Sequence, residues 1–153
     1  MKKTLVLGVG NLLLSDDGVG IHAIQRLQAA QLFPEEVQVV DGGTCGLDLL
    51  QFLEGIERLI IIDAAQMGRP PGTVVRLEGE QVPAYLALKT SPHEIGLPEL
   101  LFAAKLTNIY PAQVVIFGVQ PESLETSLGL TPAVAAQLDE LVDLVAAEIH
   151  KSD

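Results

Sequence analysis

Cysteine occurs once in these 153 residues, at Cys45. One thiol forms neither an internal disulfide nor a cluster of thiolates around a metal, which points to a reducing cytoplasm as the compartment. Positive charge is scarce as well: 9 Lys and Arg stand against 20 Asp and Glu, for a formal net charge of -11. Such a surface repels phosphate polymers and anionic membranes unless its cations cluster, and along this chain they do not, so nucleic acid and lipid surfaces are not expected partners. No apolar run approaches the roughly 20 residues of a membrane span. The opening "MKKTLVLGVGNLLL" joins two lysines to an apolar run, but glycines and Asn11 interrupt it, Asp16 and Asp17 follow, and no small-residue cleavage site appears. It reads as a first strand, not an export signal. Three catalytic or nucleotide signatures are missing too. There is no Walker-type Gly-Lys-Ser/Thr, no G-x-S-x-G, and no H-E-x-x-H around His93, because position 97 is leucine.

What is present is an alternation. Hydrophobic residues make up 48% of the chain, enough for one compact domain spanning residues 1–153, and nothing demands more than a monomer. Short apolar runs read as strands at 4–10, 37–43, 58–65, 72–78 and 113–119. Four are almost continuously apolar, as strands covered on both faces are. The run "GTVVRLE" is more polar and follows the third strand through "RPPG", too short for a helical crossover, so it is expected to run antiparallel at an edge. Helical spacing marks 19–30, about 45–54 with Gly55 as the stop, and about 98–106. A last helix carries Val134, Leu138, Leu141, Val142, Val145 and Ile149 on one stripe, with Thr131 as N-cap and Pro132 in its first turn. The stretch 80–98 has no firm assignment. The expected fold is α/β: three layers around a mixed, mainly parallel five-stranded sheet.

In such sheets the carboxyl ends of the strands share one edge, and ligands bind in the crevice there. Asp16 and Asp17 follow the first strand, Asp41 ends the second, Asp63 the third, and Gln120 with Glu122 follow the last. Carboxylates gathered at apolar strand ends are partly desolvated and repel one another, so a cation between them relieves both costs. With His93 folded over this rim, two carboxylates and an imidazole suit zinc or nickel. Each residue also has a plainer role. Asp16 serves as a turn residue and helix cap, leaving Asp17 as the functional member of the pair; Asp41 in "DGGT" serves as turn chemistry; Asp63 as a strand-end cap; His93 as a surface imidazole; His22 and His150 as ordinary helix residues. Cys45 is read as a small packed residue, against a nucleophile at a helix start with His93 as base. A dinucleotide fingerprint is incomplete: Gly8 and Gly10 are there, but the third glycine position is Leu13, although Asp41 would suit a ribose hydroxyl.

Taken together and in order, "GVGNLLLSDDGVG", "VVDGGTCGLDLL", "LIIIDA", "SPHEIGL" and "GVQPESLETSLGLTP" resemble the nickel-iron hydrogenase maturation endopeptidases over nearly the whole chain. The resemblance implies a three-layer α/β/α domain with a phosphorylase-like shape. It implies removal of a short C-terminal extension from a hydrogenase large-subunit precursor after nickel insertion, the cut falling after a His or Arg downstream of the last nickel-binding cysteine motif. It further implies metal contacts at Asp17, Asp63 and His93, to a nickel carried by the precursor; some family members have glutamate at the first of these positions. The role of the "DGGT" loop stays open, as does whether nickel acts in cleavage or in recognition alone. Two other readings remain at this point: a non-enzymatic metal-delivery or metal-sensing module with the same three ligands, and a nucleotide-binding oxidoreductase.

Overall fold

The computed structural model describes residues 3–31, 33–89 and 96–151. Five strands, β1 (Thr4–Val9), β2 (Val37–Gly43), β3 (Arg58–Ala64), β4 (Val74–Glu78) and β5 (Gln113–Val119), form one sheet in the order β2-β1-β3-β5-β4. All neighbours are parallel except β4, which pairs antiparallel with β5 at the edge, as its polar pattern and the short connection before it lead one to expect.

The apolar runs of β1, β3 and β5 are buried on both sides because alternate side chains enter two separate cores. Val6, Ile60, Ile62, Val115 and Phe117 face one core. Leu5, Leu7, Leu59, Ile61 and Ile116 face the other. Covering the first are α1 (Val19–Ala30) and, towards the end of the chain, α4 (Pro132–Ala135) with α5 (Leu138–Ile149). A 3-10 helix (Gly46–Phe52), α2 (Gln81–Leu88) and α3 (Leu97–Leu106) cover the second. The three layers follow.

Three assignments change in detail. The helix expected at 45–54 is a 3-10 helix that buries only Gly46 and Leu49, a narrow contact that a short, tightly wound segment satisfies. The C-terminal stripe is buried throughout, but the helix is broken after Ala135, where Gln137 N–H bonds to Val134 O at 3.0 Å and tightens the turn. The unassigned stretch contains α2, whose apolar residues are too evenly spread to mark a face.

Two arginines fasten the last helix. Arg58 is buried at the start of β3, where its guanidinium donates to the carbonyls of Ile149 (2.7 Å) and Lys151 (3.0 Å) and so satisfies the end of α5. Arg76 on β4 grips the buried Glu148 through two hydrogen bonds, 2.7 and 3.0 Å long.

The glycine missing from the dinucleotide pattern is supplied elsewhere. A 3-10 turn, Ser15–Gly18, sits between β1 and α1 and delays the helix, so the residue that meets the sheet is Gly20 and not position 13. A Cβ at Gly20 would lie 2.3 Å from Ile62 O and 2.8 Å from Val9 O. Both are backbone atoms and cannot swing aside. Gly20→Ala is therefore expected to destabilise the fold by about 1–3 kcal/mol, the overpacking penalty exceeding the helix-propensity gain of alanine. A urea denaturation midpoint that rises instead would contradict this packing.

Candidate active site

The sheet reverses direction of growth between β1 and β3: the chain moves from β1 outward to β2, then returns past β1 to lay down β3. At the carboxyl ends of these strands lies a cleft of about 610 Å³. Asp17 and Asp63 both line it, one from the loop after β1, the other from the carboxyl end of β3. This is the crevice that open α/β sheets offer to ligands.

Asp17 is held by local backbone. Its Oδ2 accepts the Asn11 N–H at 2.8 Å, while Asn11 Oδ1 accepts from Leu13 N at 2.9 Å, so the loop folds around Asn11. Gly10, at φ +137°, packs so closely beneath it that a Cβ there would fall 1.9 Å from Asp17 O. Only glycine fits.

Asp63 is almost wholly buried, 1% exposed. Tyr85 donates its hydroxyl to Asp63 Oδ2 at 3.0 Å, and Lys89 Nζ stands 3.1 Å from the same oxygen. Burial pushes the Asp63 carboxyl above its ordinary value; the Lys89 charge and the hydrogen bonds from Lys89 and Tyr85 act against this without cancelling it, and the charge of Asp17 adds to the rise. Burial likewise drives the Tyr85 phenol well above its usual range, helped by the Asp63 charge, so Tyr85 remains a proton donor to the carboxylate. Among the described residues, the contacts made to both cleft carboxylates fall on Oδ2. His93 lies outside the described residues. Among the described residues no set of three His, Cys, Asp or Glu side chains is arranged to hold a metal ion.

The family model of the hydrogenase maturation proteases matches residues 21–148. The hydrogenase 2 maturation protease of Escherichia coli (strain K12) is 40% identical over 151 residues, covering 98% of this chain and 92% of that relative. The chain belongs to the hydrogenase maturation proteases. The hydrogenase maturating endopeptidase HybD from E. coli superposes with a TM-score of 0.87 at 40% identity, over 96% of this chain and 91% of the other. A hydrogenase 2 maturation peptidase from a Thaumarchaeota archaeon gives 0.73 at 35% identity, over 97% and 100%. An endopeptidase thus replaces the metal-delivery module and the oxidoreductase as the reading of the chain.

In this hydrogenase maturation protease the other rim residues are occupied elsewhere. Asp16 is fully buried, but it does not cap α1 as expected; it accepts from Glu122 N (2.8 Å), Ser123 N (3.1 Å), Thr131 N (2.8 Å) and Thr131 Oγ1 (2.8 Å). Thr131 does occupy the N-cap position of α4, yet its hydroxyl serves Asp16 and not the helix. Asp41 is exposed and binds Gly43 N at 3.0 Å, the turn role. Gln120 Oε1 accepts from Met67 N and Arg69 N, and Glu122 points to solvent. Cys45 is exposed, which corrects the packed role expected for it. Sequence reading missed Tyr85 and Lys89. Their i, i+4 spacing was the only available signal, in a segment with no recognised helix.

Proposed function

We propose that this protease removes a C-terminal extension from a hydrogenase large-subunit precursor after nickel has been inserted, cutting after a His or Arg downstream of the last nickel-ligating cysteine motif. In this reading the nickel is part of the substrate, held by the precursor's own thiolates and contacted in the cleft by Asp17, Asp63 and His93. The observation that carries it is the pair of carboxylates on the two sides of the β1/β3 crevice, in a single cleft, one of them buried at an energetic cost that a cation would offset.

The chemistry follows from that placement. A cation seated between Asp17 and Asp63 fixes the docked polypeptide beside two carboxylates, so that a scissile carbonyl and a water are held together rather than meeting by diffusion. The metal serves recognition of the loaded precursor; were it also to act in cleavage, it would polarise the carbonyl or acidify the water. Half-buried Asp17, anchored through one oxygen by Asn11, is suited to take the proton. Until nickel arrives nothing neutralises the pair from the substrate side, and the extension stays uncut.

Incubation of the purified protein with nickel-loaded and nickel-free precursor, followed by mass measurement, tests this. The expected result is loss of the C-terminal peptide from the loaded form alone. Binding without loss of mass, or equal trimming of both forms, would reject it.

A further inference from the structure

Lys89 caps the C-terminal end of α2, one turn after Tyr85, and the two side chains converge on one atom, Asp63 Oδ2. The ammonium is seated, not wandering: it also donates to Ala64 O at 2.6 Å, and its side chain is only 22% exposed. It lines the same cleft as Asp17 and Asp63. In a chain with 20 acids and 9 basic residues, one cation has thus been placed against the most deeply buried carboxylate of the cleft.

An ammonium here relieves the same desolvation that a divalent ion would relieve. The two compete for one carboxylate. We propose that Lys89 is the resident counter-ion of the cleft: it occupies Asp63 while no precursor is bound, and the metal of the precursor has to displace it. The inference rests on Asp63 being a metal contact, as put forward above. Its consequence is selectivity between forms of the same metal. A free ion has only its own coordination energy with which to dislodge the lysine. A metal fixed in a docked polypeptide arrives with the binding energy of the whole complex, part of which goes into the exchange. Lys89 thereby discriminates against dissolved divalent cations and keeps the cleft open for the loaded precursor.

A lysine that merely helped to keep Asp63 ionised would act in the opposite direction, since its removal would weaken cation binding. The sign of one measurement separates the two. Titration calorimetry with Ni²⁺ alone, on the full chain, compares wild type with Lys89→Met, Lys89→Gln, Lys89→Arg and the double variant Lys89→Met/Asp63→Asn. If Lys89 holds Asp63 about nine-tenths of the time, apparent affinity is reduced about tenfold, and the Met and Gln variants regain it. Arg, retaining the cation, behaves as wild type, and the double variant loses the gain. Unchanged or weaker binding by both the Met and Gln variants overturns the proposal. So does a gain that survives in the double variant, because it would arise elsewhere. Lys89→Gln keeps a polar head for Ala64 O and guards the comparison against local collapse in the Met variant. Trimming of nickel-loaded precursor by wild type is scored separately: if it fails while the Ni²⁺ gain appears, the nickel-gated processing reading falls and the role of Lys89 stands.

Discussion

Asp16→Ala is expected to cost about 3–5 kcal/mol of stability, the range for removing a buried charged acceptor from several donors at once. Three backbone N–H groups, of Glu122, Ser123 and Thr131, and the Thr131 hydroxyl all end on this carboxylate. Alanine leaves them without their acceptor at a site closed off from bulk water, since Asp16 is 0% exposed. For a domain of this length that loss lowers Tm by roughly 6–20 °C. Asparagine would not restore it, because one of its two heads is a donor facing donors. The effect also has a pH signature. Burial raises the Asp16 carboxyl, but the hydrogen bonds from Thr131, Glu122 and Ser123 together outweigh burial and hold it below its ordinary 3.8. The unfolded chain therefore binds the proton first as pH falls. The stabilisation is complete above the unfolded value and is lost as pH drops through the folded one, so wild type and Asp16→Ala should converge in strong acid. A denaturation midpoint within about 1 kcal/mol of wild type at neutral pH would mean the clamp is not structural.

The same clamp explains why adjacent aspartates do different work. Ser15, at φ +51°, donates its hydroxyl to Glu125 O at 2.6 Å and its N–H to Ser127 O at 3.0 Å, and Asp16 continues the seam to Thr131. The segment after β5 thus holds the loop from behind while Asp17, one residue on, faces the cleft. Sequence reading separated the two by role because Asp16 suits a turn and a helix cap, which leaves Asp17 for the function. It had no means of seeing that the partner of Asp16 lies more than a hundred residues later.

Elsewhere, legibility followed the range of the physics involved. The runs of β1, β3 and β5 were readable because burial on two faces dictates continuous apolarity, and the antiparallel edge of β4 because its run is more polar and its connection from β3 too short for a helical crossover. The strand-end position of Asp63 was readable from the run of β3. Helix α2 was not, since Val82 and Tyr85 are its only buried residues and Pro83 lies within it. With that helix went Tyr85 and Lys89, whose importance comes from the oxygen they share and not from any pattern in the chain. The close approach of Gly20 to Val9 and Ile62 is likewise a three-element event, invisible to a motif that assumes a helix starting directly after the strand.

Asp63→Asn should separate stability from processing. Burial holds the Asp63 carboxyl above 3.8 despite Lys89 and Tyr85, so the folded protein binds a proton more readily than the unfolded chain. Between those two values stability falls as pH rises, the reverse of Asp16, and the ionised form of Asp63 is a net burden on the fold. The neutral amide removes that burden and still offers Tyr85 and Lys89 an oxygen to bond. Its Tm at pH 7 should therefore equal or exceed that of wild type, with any advantage shrinking as pH is lowered towards 4. Processing of nickel-loaded precursor should fall by about 10²- to 10⁴-fold, as for loss of a positioned carboxylate at a reaction centre. A carboxylate retained against its own destabilising influence is what a function-bearing residue looks like, because structure alone would favour the amide. Should Asp63→Asn melt well below wild type at pH 7, the carboxylate is there for the fold; should it trim the loaded precursor at the wild-type rate, it is not part of the site. The matching Asp17→Asn has no such stability gain to show, since Asp17 is only half buried, and isolates the loss of activity by itself.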